Sequence, residues 1–129
     1  MLAARDLANR ASRSVVLALP DSPLAAETAD RLRRSGWRVY RATDCTGLRR
    51  LAWRALPEVV VLPAEGFDES GWLTCAKLLR ASPRLRVILV GARDGRDYAL
   101  FVGAESLVPG DGTAEELAGC VESAVVQTA

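Results

Sequence analysis

The sequence predicts an α/β fold in which a parallel sheet is covered by helices on both faces, and three observations predict it. Five short, almost continuously apolar runs recur along the chain: "VVLAL" (15–19), "RVYRA" (38–42), "VVVL" (59–62), "RVILV" (86–90) and "SLV" (106–108). The segments between them carry apolar residues at helical spacing, so strand and helix alternate from end to end. The 129 residues, half of them apolar, have the size of one domain able to bury its own core. Residues 1–13 read as an N-terminal tail and 14–129 as the domain.

Each connecting segment has its own start and stop. In the first helix Ser22 and Pro23 suit the N-cap and first turn, Ala25, Ala29 and Leu32 share a face, and Gly36 stops it. The second opens near Asp44, turns Leu48, Leu51, Ala52 and Ala55 inward, and ends at Pro57. A third runs from Ser70 to Ala81 before Pro83, with Leu73, Ala76 and Leu79 expected inward. A fourth, from Asp97 to Val102, is short. The fifth begins at "TAEE", where Thr113 and Glu116 have capping-box spacing, and points Leu117, Val121, Ala124 and Val125 inward. Strands without polar alternation are buried on both faces, and right-handed crossovers leave a doubly wound arrangement. Five such units predict the flavodoxin-like (βα)5 sheet with strand order 2-1-3-4-5. Its chain reversal between strands 1 and 3 opens a crevice at their carboxyl ends, where ligands of such sheets bind.

Composition excludes much chemistry. Seventeen basic and sixteen acidic residues leave a net charge of +1, which gives no global attraction to nucleic acid or an anionic membrane. No apolar run is long enough to span a bilayer and no signal-peptide core stands at the N-terminus, so a cytoplasmic location is expected. Cys45, Cys75 and Cys120 are too dispersed for a disulfide framework or zinc site and read as buried thiols. The absence of histidine removes the commonest general base and neutral metal ligand.

The residues that follow the strands carry a resemblance. "VVLALPDSP", "EVVVLPAEGFDESGW", "RVILVGA" and "GAESLVPGDGTAEELAGCV" make residues 14–126 resemble the receiver domains of bacterial response regulators. In that family an acidic pair after strand 1 holds Mg²⁺; here it reads Pro20 and Asp21. The phosphoacceptor aspartate ending strand 3 falls on Pro63, the hydroxyl residue after strand 4 on Gly91, the lysine after strand 5 on Gly110, and the switch aromatic on Leu107. The resemblance therefore implies a degenerate member, a pseudo-receiver with no cofactor and no metal. An aspartyl phosphate needs a carboxylate nucleophile and a divalent cation to offset phosphoryl charge. Proline supplies neither, and Asp21 alone is a poor Mg²⁺ site. Glu65 and Asp68 lie on the loop beyond the strand terminus and are poorly placed as substitutes; Asp21 itself suits a helix cap.

Two functions are compatible with that reading. A non-catalytic signalling module would act by contact with a protein partner or a second copy, through a face including Tyr98, Phe101, Leu107 and Val108. A sensor would instead bind a small molecule in the emptied crevice. The scarcity of polar groups at Pro20, Pro63 and Gly91 favours contact over a ligand, and neither reading is enzymatic. Where the chain is part of a longer regulator, the resemblance implies a DNA-binding output domain, the expected route to nucleic acid. Trp37 and Trp53 are expected to pack at helix edges, with Trp72 the exposed anchor. Arg49, Arg50 and Arg54 form a solvated face with no aromatic platform expected beside them, and "GARDG" and "VPGDG" read as ordinary turns.

Overall fold

The computed structural model describes residues 13–65 and 67–126. Strands β1 (Ser14–Leu17), β2 (Arg38–Arg41), β3 (Val59–Pro63), β4 (Arg86–Gly91) and β5 (Ser106–Pro109) alternate with helices α1 (Pro23–Arg34), α2 (Cys45–Ala55), α3 (Gly71–Ala81), α4 (Arg96–Phe101) and α5 (Ala114–Val126). A single 3₁₀ turn, Arg93–Gly95, leads into α4. The strands pair in parallel in the order β2-β1-β3-β4-β5, as expected.

The continuous apolar runs follow from two-sided burial. Successive strand residues point to opposite faces. Val15, Leu17, Val59, Val61, Ile88 and Val90 pack with α1 and α5 residues such as Leu32, Leu117 and Val121. Their neighbours Val16, Val60, Leu62, Val87 and Leu89 pack on the other face with Leu48, Cys75, Leu78 and Ala99 from α2, α3 and α4. Sinking one such leucine or isoleucine is worth about 1.5–3 kcal/mol. Register places Leu17 beside Val61 and Pro63 beside Val90, which brings the strand ends into one row.

The local rules operate as the sequence anticipated in most places. Ser22 accepts from the Ala25 amide at 3.2 Å, Asp44 from Gly47 at 2.6 Å, and Thr113 from Glu116 at 3.1 Å. Gly36 takes a φ of 92° just after α1, a conformation that glycine adopts without strain. At the end of α2 it is Leu56, with φ 47°, that enters the left-handed region ahead of Pro57.

The inward face of α3 differs from expectation. Thr74, Cys75 and Leu78 are buried, Leu79 is half-buried, and Leu73 and Ala76 face solvent. The helix is rotated because it starts at Gly71, hard against the end of β3, and because a threonine can be buried there. Its hydroxyl bonds to the Glu69 carboxylate and the Ser70 carbonyl, so apolarity alone did not select the buried face.

Candidate functional site

The crevice at the carboxyl ends of the strands gathers Pro63, Gly91 and Gly110 through the sheet itself. Pro63 is the last residue of β3 and is buried. Proline is tolerated there because it stands at the strand's end, where Ala64 resumes the ladder by donating to the Val90 carbonyl at 2.8 Å. Gly91 closes β4 opposite Pro109, and its carbonyl accepts from the Gly110 amide at 3.0 Å.

The space beside Pro63 is occupied by chain. The Gly71 amide donates to the Ala64 carbonyl at 2.8 Å, and a Cβ on Gly71 would come within 2.0 Å of the Pro63 carbonyl oxygen. The first turn of α3 thus rests directly on the backbone of the strand end, an approach only glycine allows. At Gly91 an added Cβ would meet the Ala64 Cβ at 2.9 Å, so the Ala64 methyl fills the place of a side chain. Gly110 is open, with no atom within 4 Å of an added Cβ. Two spaces remain at the strand ends: a cavity of about 170 Å³ against Ala64, Trp72, Gly91 and Gly95, and a more open one of about 310 Å³ against Gly91, Arg93, Pro109, Gly110 and Asp111.

Asp21 stands apart from both spaces. It is exposed and pairs with the Arg41 guanidinium at 3.1 Å, at the end of neighbouring β2. Pro20 beside it is also exposed and carries no donor atom on its side chain. A magnesium ion therefore finds one carboxylate, already paired and on the rim, rather than a set of oxygens. Among the described residues no group of three or more histidine, cysteine, aspartate or glutamate side chains is placed to hold a metal. These residues do not fit a bound Mg²⁺.

A polar cluster that sequence reading missed lies at the foot of the β3–α3 loop. Asp68 accepts from the Cys45 amide at 3.1 Å, which ties the loop to the first turn of α2. Glu69 binds Lys77 at 2.6 Å and the Thr74 hydroxyl, and Thr74 lies 3.5 Å from the Cys45 sulfur. The Cys45 amide holds the Asp68 carboxyl below its ordinary range, and the Lys77 ammonium does the same for Glu69. Burial pushes the Cys75 thiol up to about 11 and raises Cys45 and Cys120 as well. The raised values favour the protonated thiol at neutral pH at all three positions. Only the Asp-to-amide capping pattern could have announced this cluster, and it joins residues 23 apart.

The aromatic and apolar side chains near the crevice divide differently from expectation. Tyr98 and Phe101 are exposed, 52% and 84%, and stack with ring centroids 6.1 Å apart. Leu107 and Val108, expected on the same face, are core residues at 7% and 5% exposure, because β5 is covered on both faces. Trp72 is half-buried: it covers Gly95 and meets Tyr98 edge-on at 4.8 Å. The exposed tryptophan is Trp53, 82% accessible on α2, whereas Trp37 is buried. Trp53 shares α2 with Arg49, Arg50 and Arg54, so an aromatic does accompany that basic face.

No protein-family model matches the chain, and no curated protein matches it. Solved structures do. The receiver domain of Francisella response regulator 1452 superposes with a TM-score of 0.80 at 17% identity, covering 91% of this chain and 99% of its own. The receiver domain of the TMAO respiratory system response regulator TorR gives 0.79 at 23% identity, covering 89% and 98%. The BeF3-activated DrrB receiver domain gives 0.74 at 19%, covering 88% and 97%. The chain therefore has the fold of response-regulator receiver domains over nearly its whole described length. Among the described residues no helix is long and apolar enough to cross a membrane.

Proposed function

We propose that this chain is a receiver-like signalling module that works without phosphorylation, by protein contact. The observation that carries the reading is the strand-end row itself: Pro63 buried under the first turn of α3, Ala64 filling the space over Gly91, and Gly110 bare. A phosphoryl acceptor there would need an ionisable oxygen, a metal and a stabilising cation. The row offers none of them. A module with receiver architecture and no phosphate to set its state must signal by what it binds.

The exposed pair Tyr98 and Phe101 supports α4 as the contact surface. With Leu100, 60% exposed, they form an apolar cluster on a helix of only six residues. Large exposed aromatics in a row are typical anchors of protein interfaces. Replacing Phe101 by aspartate should leave folding unchanged while abolishing partner binding or self-association through this surface. Unchanged capture of a protein partner by Phe101→Asp, or unchanged self-association at about 1 M salt, would count against it.

A small-molecule sensor is the second reading, and the spaces at the strand ends argue against it. The enclosed space beside Trp72, about 170 Å³, is below the roughly 300–1,000 Å³ of typical ligand sites, and the larger one, about 310 Å³, lies open to solvent with Arg93 and Asp111 in its lining paired to each other at 3.5 Å. Thermal-shift screening against metabolites is expected to give no stabilisation that depends on residues lining either space. A ligand whose binding is abolished by Trp72→Ala would favour the sensor instead.

A further inference from the structure

We propose that the basic, tryptophan-bearing face of α2 docks onto the acidic first turn of α5 and the groove beside it, between α5 and β5, of a second copy of this chain, so that copies add head to tail. Net charge near zero conceals a segregation. Helix α2 carries three arginines and no acidic residue, while α5 carries Glu115, Glu116 and Glu122 and no basic residue. Arg50, Arg54, Glu115 and Glu116 are all exposed. Arg49, though exposed too, lies in the field of Asp68 and Glu69 of its own chain. Among the described residues none of Arg50, Arg54, Glu115, Glu116 or Glu122 takes part in an ion pair.

Shape adds to charge. Trp53 stands on the same helix, three residues after Arg50 and one before Arg54, at 82% exposure, a large amphipathic side chain that its own fold leaves uncovered. On α5 the matching position is a hollow. Gly119 has no side chain, and beyond the backbone of its own helix an added Cβ would meet open space. It lines a groove of about 510 Å³ together with Leu107, Pro109, Glu116, Cys120 and Ser123. Arg96 and Glu105 also line this groove, and Glu105 is 4.0 Å from Arg86. An indole seated over Gly119 would place its flanking guanidinium groups near Glu115 and Glu116, which precede that glycine by one helical turn. Arginine is suited to such pairing because its planar fork matches a carboxylate.

The geometry of the sheet dictates the form of assembly. Leu48 roots α2 on one face of the sheet, and Leu117 and Val121 root α5 on the other. A single contact therefore leaves an unused α2 on one copy and an unused groove on the next, which is a heterologous interface rather than a closed two-fold one. This interface uses neither Tyr98 nor Phe101, although its groove takes in Arg96 at the start of α4.

Sedimentation velocity of the full chain tests it. At about 0.01 M salt, where screening reaches roughly 30 Å, the wild type should form concentration-dependent oligomers that disperse at about 1 M, where it reaches roughly 3 Å. Arg50→Glu/Arg54→Glu and Glu115→Lys/Glu116→Lys should each weaken association at least tenfold. Mixed in equal amounts, they should associate again, since each reversed surface then meets the complementary reversal and each unchanged surface meets an unchanged partner. Trp53→Ala should weaken assembly, and Phe101→Asp should leave it intact. A wild type that stays monomeric at low salt overturns the proposal. So does a mixture that fails to associate, or an assembly lost in Phe101→Asp and untouched by both charge reversals.

Discussion

At the scale of single residues, the crevice is defined by what its side chains lack. Pro63 and Gly91 could be read from the sequence, because both fall at the ends of recognisable strands. The roles of Ala64 and Gly71 could not, since a methyl over one strand end and a helix resting on another are contacts between segments. Gly71 makes the sharper test. Its missing Cβ is what lets α3 rest on the end of β3, since that atom would fall 2.0 Å from the Pro63 carbonyl oxygen. Gly71→Ala should therefore cost at least about 1–3 kcal/mol, the range for forcing extra atoms into a packed site, seen as a lower urea midpoint. Pro63→Asp is expected to fold less stably and to remain unphosphorylated, because a carboxylate at that position would be buried without a metal or cation beside it. Acquisition of a phosphoryl group by this single variant would contradict the account. Burial decides the thiols likewise: Cys75, with its pKa pushed up to about 11, should react with a thiol reagent only on unfolding.

At the scale of elements, legibility follows how local each determinant is. Helix starts at Ser22, Asp44 and Thr113 are set within four residues, and the structure places a cap bond at each. The buried face of α3 is set by partners elsewhere, so periodicity misjudged Leu73 and Ala76. Trp53 was misplaced for a similar reason: an aromatic on an amphipathic helix is expected to pack, yet α2 ends two residues later at Ala55 and leaves Trp53 82% exposed. Asp44→Ala should lower stability by about 1 kcal/mol through loss of the α2 cap. The loop cluster predicts a pH dependence. Asp68 and Glu69 have folded pKa values below their unfolded ones. Their contribution is therefore complete above the ordinary carboxylate range and lost as pH falls through the folded values. Wild type should lose more stability than Asp68→Asn/Glu69→Gln between roughly pH 5 and pH 3; equal losses in denaturant titrations would dissociate the cluster from acid sensitivity.

At the scale of the whole molecule, the sheet order, its two-sided core and the row of strand ends were all legible, because they follow from apolar runs and crossover handedness. The surface was less so. Leu107 and Val108 were expected beside Tyr98 and Phe101, but an edge strand of a doubly wound sheet still buries both faces. The opposed charges of α2 and α5 become meaningful only once the fold sets them on opposite sides. The central claim is that this receiver architecture is uncoupled from phosphate, and intact-protein mass spectrometry tests it most directly. After incubation with acetyl phosphate and Mg²⁺ the mass should be unchanged, and beryllofluoride should leave the melting temperature where it was. A stable adduct of one phosphoryl group, on any carboxylate of the chain, would contradict the account.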